Sequence, residues 1–140
     1  MVTNRILLAA AALAAFTATV HTVAGTLEVH APLLTSPLPQ SLSLLLYACW
    51  HLVTVTLVLS AVALAWASRN HRAPSNGALP AFIGVLWVVF GAVFVAVAVG
   101  LSGPPALLVL PQWTLLIPIG GLALFGAQAG RTIPARPEHP

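Results

Sequence analysis

Two histidines stand inside runs of sequence that are otherwise apolar. His21 lies in a segment rich in alanine and valine, and His51 lies in YACWHLVTVTL, residues 47–57. Imidazole forms hydrogen bonds, ligates metals and haem, and can carry a proton near neutral pH. We take these two residues as the centre of a candidate polar site, with four further side chains as members: Glu28, Tyr47, Cys49 and Gln112.

Four kinds of chemistry are open to this set. The histidines can be structural, forming hydrogen bonds that fix the register of neighbouring helices. They can hold zinc or copper, with His21, His51 and Glu28 as ligands. They can clamp a b-type haem between His21 and His51, or they can form a small-molecule, quinone or proton-linked site. No tight ligand spacing selects among these, so the cofactor stays unknown, with haem b, copper and zinc as the candidates.

The composition indicates the environment in which this chemistry would take place. Of the 140 residues, 59% are hydrophobic and only 5% are charged, and the mean hydropathy is +1.01. A soluble domain carries about a quarter of its residues as charged side chains, so this chain must present its surface to the lipid bilayer. A scattered net charge of +3 excludes a nucleic-acid footprint. The single cysteine excludes mechanisms that need a cysteine pair.

Four segments are long enough to cross a hydrocarbon core, which takes about 20 apolar residues. The sequence therefore predicts an all-α membrane protein, an antiparallel four-helix transmembrane bundle that forms one domain over residues 1–130. Residues 131–140, polar and rich in proline, are predicted to be a disordered cytoplasmic tail. The predicted spans are approximately 6–27, 42–67, 79–101 and 106–128.

The arginines predict the orientation of these spans. All five fall in the N-terminal segment, the second loop or the tail: Arg5, Arg69, Arg72, Arg131 and Arg136. Under the positive-inside rule both termini are then expected to be cytoplasmic. An alternative interpretation takes the first segment as a secretory signal peptide that is cleaved at Ala24.

The depth of the polar residues predicts a common level for the site. At about 1.5 Å per residue, His21 lies roughly 24 Å from Arg5, His51 roughly 27 Å from Arg69, and Gln112 roughly 28 Å from Arg131. Helical spacing also places Gly25 and Glu28 on the face of His21, and Tyr47 on the face of His51. We therefore expect a pocket near the outer face of the membrane, with Cys49 and His30 nearby. In it the two imidazoles lie within about 8 Å of each other, and both face the bundle interior.

Small residues and prolines mark other features of the spans. Gly84, Gly91 and Ala98 recur every seven residues and predict a smooth seam for close helix contact. Pro111 and Pro118 are expected to kink or loosen the fourth span.

Four stretches of the chain resemble a group of small bacterial four-span membrane proteins of unknown function. They are HTVAG (21–25), APLLTSPLP (31–39), CWHLVTVTL (49–57) and LPQWTLLIPIG (110–120). The resemblance implies a fold and a location, namely a multi-pass protein of a bacterial inner membrane, rather than an activity. We expect a non-enzymatic accessory or partner-binding protein, bound to a membrane-protein partner or to further copies of itself. The alternative is a metal- or haem-binding redox module centred on His21 and His51.

Overall fold

The structure is a computed structural model that describes residues 3–70 and 77–129. These residues are helical throughout, with turns between the helices and no strand. The helices are α1 (Arg5–Gly25), α2 (Ala31–Leu34), α3 (Gln40–Arg69), α4 (Ala78–Ser102) and α5 (Trp113–Ala129). The predicted tail, residues 131–140, lies outside the described residues, as do Arg72, Arg131 and Arg136.

The first helix is longer than the predicted span because it continues through a π-helical turn, Thr26–His30, into the short α2. Ala31 N–H bonds to the carbonyl of Thr26, five residues back, as a π-helix requires. Pro32 explains the irregularity, since its ring has no N–H for the carbonyl of Glu28 and clashes with it in an α-helix. The wider turn absorbs this conflict, and helical structure runs from Arg5 to Leu34.

The second and third predicted spans agree closely with α3 and α4, whereas the fourth span begins later than predicted. The chain forms a 3₁₀ turn over Pro104–Leu108, and α5 starts only at Trp113. Pro111 lacks a backbone N–H, so an α-helix from 106 would have a gap in its hydrogen bonds. The indole N–H of Trp113 instead donates to the carbonyl of Leu107 at 3.2 Å.

The four principal helices pack side by side as an antiparallel bundle. α1 packs against α3 and α5, and α5 makes the most extensive contact of the structure with α4. α3 and α4 face each other on the fourth side with a much smaller contact. The bundle is therefore tight on three sides and loosely closed on the fourth.

Asn4 forms hydrogen bonds to three helices at the beginning of α1, and we call this arrangement the Asn4 clasp. Its side-chain oxygen accepts from the backbone N–H groups of Ile6 and Leu7 at 3.1 and 3.2 Å, which caps α1. Its amide nitrogen donates to the carbonyl of Gly126 at the end of α5, at 2.9 Å. Its backbone N–H donates to the carbonyl of Ser68 at the end of α3, also at 2.9 Å. This clasp places Arg5 and Arg69 at the same end of the bundle.

The helices α4 and α5 meet backbone to backbone at two glycines. A Cβ atom on Gly84 would lie 2.8 Å from the carbonyl oxygen of Gly120, and one on Gly120 would lie 2.8 Å from the backbone nitrogen of Val88. Gly91 packs under Ile117, with 3.3 Å from its Cβ position to the Ile117 nitrogen. The predicted seam on α4 is confirmed as a close helix contact, and glycine is needed there because any side chain would separate the helices.

The buried core lies toward the arginine end. On α1 the buried residues end at Ala18, and on α3 they begin at Leu57. We call the buried cluster the proximal core; it comprises Leu7, Ala10, Ala11, Ala14, Ala18, Leu57, Ala61, Leu64, Ala67, Ile83, Trp87, Leu116, Ile119 and Ala123. The remaining part of the α1–α3 hairpin, residues 19–56, has no fully buried residue, and we call it the distal hairpin.

The surface is largely apolar, as the composition predicts. Three helical stretches are long and apolar enough to cross a membrane, namely Arg5–Leu34, Gln40–Arg69 and Ala78–Ser102, and α5 is a shorter apolar helix of 17 residues. Large hydrophobic side chains point outward from every helix; Leu52 is 66% exposed and Phe125 is 71% exposed. A water-soluble monomer rarely exposes so much apolar surface, and the all-helical fold with three helices of spanning length suggests a membrane protein.

Candidate functional site in the distal hairpin

The first feature of the distal hairpin is a stack of His21 on Trp50. The two rings lie with their centroids 3.9 Å apart and their planes 19° from parallel. Gly25 lies one turn after His21 and makes room for the indole, because a Cβ atom there would lie 2.8 Å from Cζ2 of Trp50. The predicted shared face of His21 and Gly25 is therefore the surface on which Trp50 packs. We call this arrangement the Trp50 stack.

The second feature is a group of three rings, which we call the His30 cluster. Tyr47 and His51, one turn apart on α3, meet edge to face with centroids 4.5 Å apart. The ring of His30 lies 4.8 Å from that of Tyr47 and 6.3 Å from that of His51. The direct distance between the rings of His30 and His51 is much shorter than the sum of the distances from Tyr47 to each of them. Tyr47 therefore lies beside the two imidazoles rather than between them.

Two imidazole nitrogens in these groups are buried without a hydrogen-bond partner. They are Nε2 of His21 and Nε2 of His30, and no described residue donates to or accepts from either. The hydroxyl protons of Thr17 and Thr22 are donated to the carbonyl one turn back on their own helix and are not available to an imidazole nitrogen. A buried polar atom without a partner costs about 1–3 kcal/mol. The distal hairpin thus contains two imidazole nitrogens that could form a hydrogen bond to another molecule or bind a metal ion.

The structure assigns the six predicted site residues to different places. His21 belongs to the Trp50 stack, and Tyr47 and His51 belong to the His30 cluster. The other three side chains are exposed and have no ring contact or ion pair within the described ranges: Glu28, Cys49 and Gln112. Glu28 leaves the predicted face because it lies in the π-helical turn, where α-helical spacing no longer holds.

The expectation that both imidazoles face the bundle interior is wrong for His51. His21 is half-buried, whereas His51 is exposed on the surface of the hairpin. The prediction assumed that other helices surround α3 at this level. Instead the buried residues of α3 begin only at Leu57, and at the level of the rings the side chains of α3 contact His21 and His30 of the first helix.

The residues present do not assemble a metal site of three or more ligands. Among residues 3–70 and 77–129, no three histidine, cysteine, aspartate or glutamate side chains are grouped closely enough to hold an ion. The pairing of His21 with His51 around a metal or a haem stays a prediction. What the structure does bring together is a different pair of histidines, His30 and His51.

Two residues of these ring groups were not among the predicted members of the site. Trp50 is absent from the predicted set, and His30 was predicted only to lie nearby. The sequence held a signal for Trp50 in Gly25, since a glycine one turn from His21 leaves space for a large ring. It held none for His30, because the π-helical turn sets the direction of that side chain.

Comparisons of the chain with protein-family models, with curated proteins and with solved structures find no match.

Proposed function

We propose that the protein is a multi-pass protein of the bacterial inner membrane with both termini in the cytoplasm. Three long apolar helices and an apolar outer surface support membrane insertion. The clasp of Asn4 supports the orientation, since it holds Arg5 and Arg69 at one end of the bundle. The bacterial inner membrane follows from the resemblance to small four-span proteins.

Reporter fusions test this orientation. Fusions after residue 75 and after residue 138 should both report the cytoplasm, because the loop and the tail each carry arginine. A fusion in the loop at residue 37 serves as the control and should report the opposite side. An external reporter at residue 75 would overturn the four-span topology and favour the signal-peptide interpretation.

Within this membrane protein we assign the distal hairpin a non-enzymatic role in binding a partner. This assignment rests on one observation, which is that the side chain of His51 is exposed in the single chain. Ionisable side chains inside transmembrane segments almost always face protein or a water-filled cavity, because an imidazole facing acyl chains has no hydrogen-bond partner. A second membrane protein, or another copy of this chain, would cover His51 and the neighbouring part of α3.

Site-specific photo-crosslinking in intact membranes tests the partner. A photoreactive residue at position 51 should give one adduct of defined mass, whereas the same residue at Leu59, which is 62% exposed, should give only lipid adducts. An adduct of twice the mass of the chain would identify a second copy as the partner. Lipid adducts alone at both positions would contradict partner binding.

The alternative function, a redox module that holds a metal or haem on His21 and His51, has one observation in its favour. The Nε2 atom of His21 is buried and free of hydrogen bonds within the described chain. An absorption spectrum and a metal analysis of the purified protein separate the two functions. A haem absorbance that is lost in both His21→Ala and His51→Ala would support the redox module and contradict the accessory role.

A further inference from the structure

The geometry points to a transition-metal site of the zinc and copper class on the His30 cluster, with His30 and His51 as its two protein ligands. This pair differs from the sequence-predicted pair, since His21 lies in the Trp50 stack. The site does not depend on partner binding, and the two ideas can fail separately.

The separation of the two rings fits a shared ion. A metal lies about 2.0–2.1 Å from an imidazole nitrogen. Two such bonds together with the two ring radii span a distance comparable with the observed 6.3 Å between the centroids of His30 and His51 when the ion lies on the line that joins the rings. A bent arrangement at a tetrahedral ion requires the exposed ring of His51 to move closer to His30. The planes of the two rings are inclined at 68°. Tyr47 lies beside the pair and packs against both rings.

The hydrogen-bonding state of His30 is a second, independent observation. Its Nε2 is buried and has no protein partner among the described residues, although a buried imidazole nitrogen ordinarily finds one. A metal ion bonded to this nitrogen would remove the cost. The exposed His51 supplies the other ligand on the side from which an ion can arrive.

The composition of the pair selects the class of ion. Imidazole nitrogens suit zinc, copper and nickel, whereas calcium and magnesium require oxygen ligands. No third histidine, cysteine, aspartate or glutamate of the described chain joins the pair. The remaining coordination positions are therefore open to water or to a ligand from another molecule, and the ion exchanges readily.

The position of the pair is accessible to ions from water. At about 1.5 Å per residue, His51 lies roughly 27 Å from Arg69 along α3, close to the full depth of a hydrocarbon core of about 30 Å. His30 lies still farther from the arginine end, in the turn that leads to α2.

Zinc titration of the purified protein in detergent tests the site, with Zn²⁺ alone as the probe and a zinc-sensitive dye as competitor. His71→Ala and His139→Ala are introduced first, because these histidines lie outside the described residues. This background should bind one Zn²⁺ per chain. His30→Ala and His51→Ala should each weaken binding at least about tenfold, since even outer-shell partners of a metal contribute that much.

Two controls isolate the pair. His21→Ala removes an imidazole from the same hairpin and should leave the affinity for zinc unchanged, and Tyr47→Phe should change it little. Equal weakening by His21→Ala would show that zinc binds elsewhere. No binding in the background protein, or unchanged binding in both His30→Ala and His51→Ala, would overturn the proposal.

A measurement on the unmodified chain avoids the risk that a variant misfolds. Diethyl pyrocarbonate modifies accessible imidazoles, and mass spectrometry locates the products. Zn²⁺ should protect His51 from modification, whereas Mg²⁺, which prefers oxygen ligands, should not. Equal reactivity of His51 with and without Zn²⁺ would exclude the site even if every variant failed to fold.

Discussion

The proximal core and the distal hairpin differ in the side chains that form their helix contacts. In the proximal core four helices meet largely through alanine and glycine, so their backbones lie close together. Among the described residues of this core, Nε1 of Trp87 is buried without a hydrogen-bond partner. In the distal hairpin the first helix and α3 meet through the rings of histidine, tyrosine and tryptophan side chains. The comparison teaches that stability resides in the first region, whereas the groups capable of binding reside in the second.

A pair of tryptophans should show the largest difference between the regions. Trp87 is fully buried in the proximal core, so Trp87→Ala should cost about 3–5 kcal/mol of unfolding free energy. Trp50 is only half-buried, so Trp50→Ala should cost about 1–2 kcal/mol through the lost stack and burial. Reversible unfolding in mixed detergent measures both. An equal cost would show that the distal hairpin is as firmly packed as the core.

Two adjacent glycines of α5 give the next largest effect. Gly120→Ala should destabilise the protein by about 1–3 kcal/mol, because the new Cβ atom meets the backbone of α4. Gly121→Ala is the matched control, since nothing lies within 4 Å of its Cβ position. It should be neutral or stabilise the helix by up to about 1 kcal/mol. Similar costs for the two variants would mean that the α4–α5 contact is looser than described.

The smallest effect on stability is expected at the exposed residues of the candidate site. His51→Ala removes an edge-on contact with Tyr47 and should change the unfolding free energy by at most about 1 kcal/mol. Gln112→Ala, which has no comparable contact, should change it less. With the photoreactive residue at Val55, which is 53% exposed one turn after His51, loss of the adduct in a His51→Ala chain that folds normally would separate binding from stability. A cost above that of Trp50→Ala would instead make His51 a structural residue.

Much of the fold was predictable because length and hydropathy alone determine it. Helices α3 and α4 lie within two residues of the predicted spans, and the spacing of Gly84 and Gly91 predicted the seam. The late start of α5 was missed because Pro111 was weighed as a kink rather than as a break. The candidate site was predicted less well. The depth of a residue along a helix can be predicted by counting residues. Which side chains contact each other depends on the π-helical turn and on where the buried core ends, and neither could be read from the spacing of residues.

The clasp of Asn4 has a consequence for biosynthesis. The bond from its side chain to Gly126 joins positions 122 residues apart, and the first helix packs directly on the last. In the membrane topology proposed above, the hairpin of α1 and α3 waits in the bilayer until α5 leaves the ribosome, because the proximal core needs side chains from both. A truncation before Trp113 should therefore leave a nascent chain that inserts but does not assemble, a substrate for quality-control proteases of the membrane.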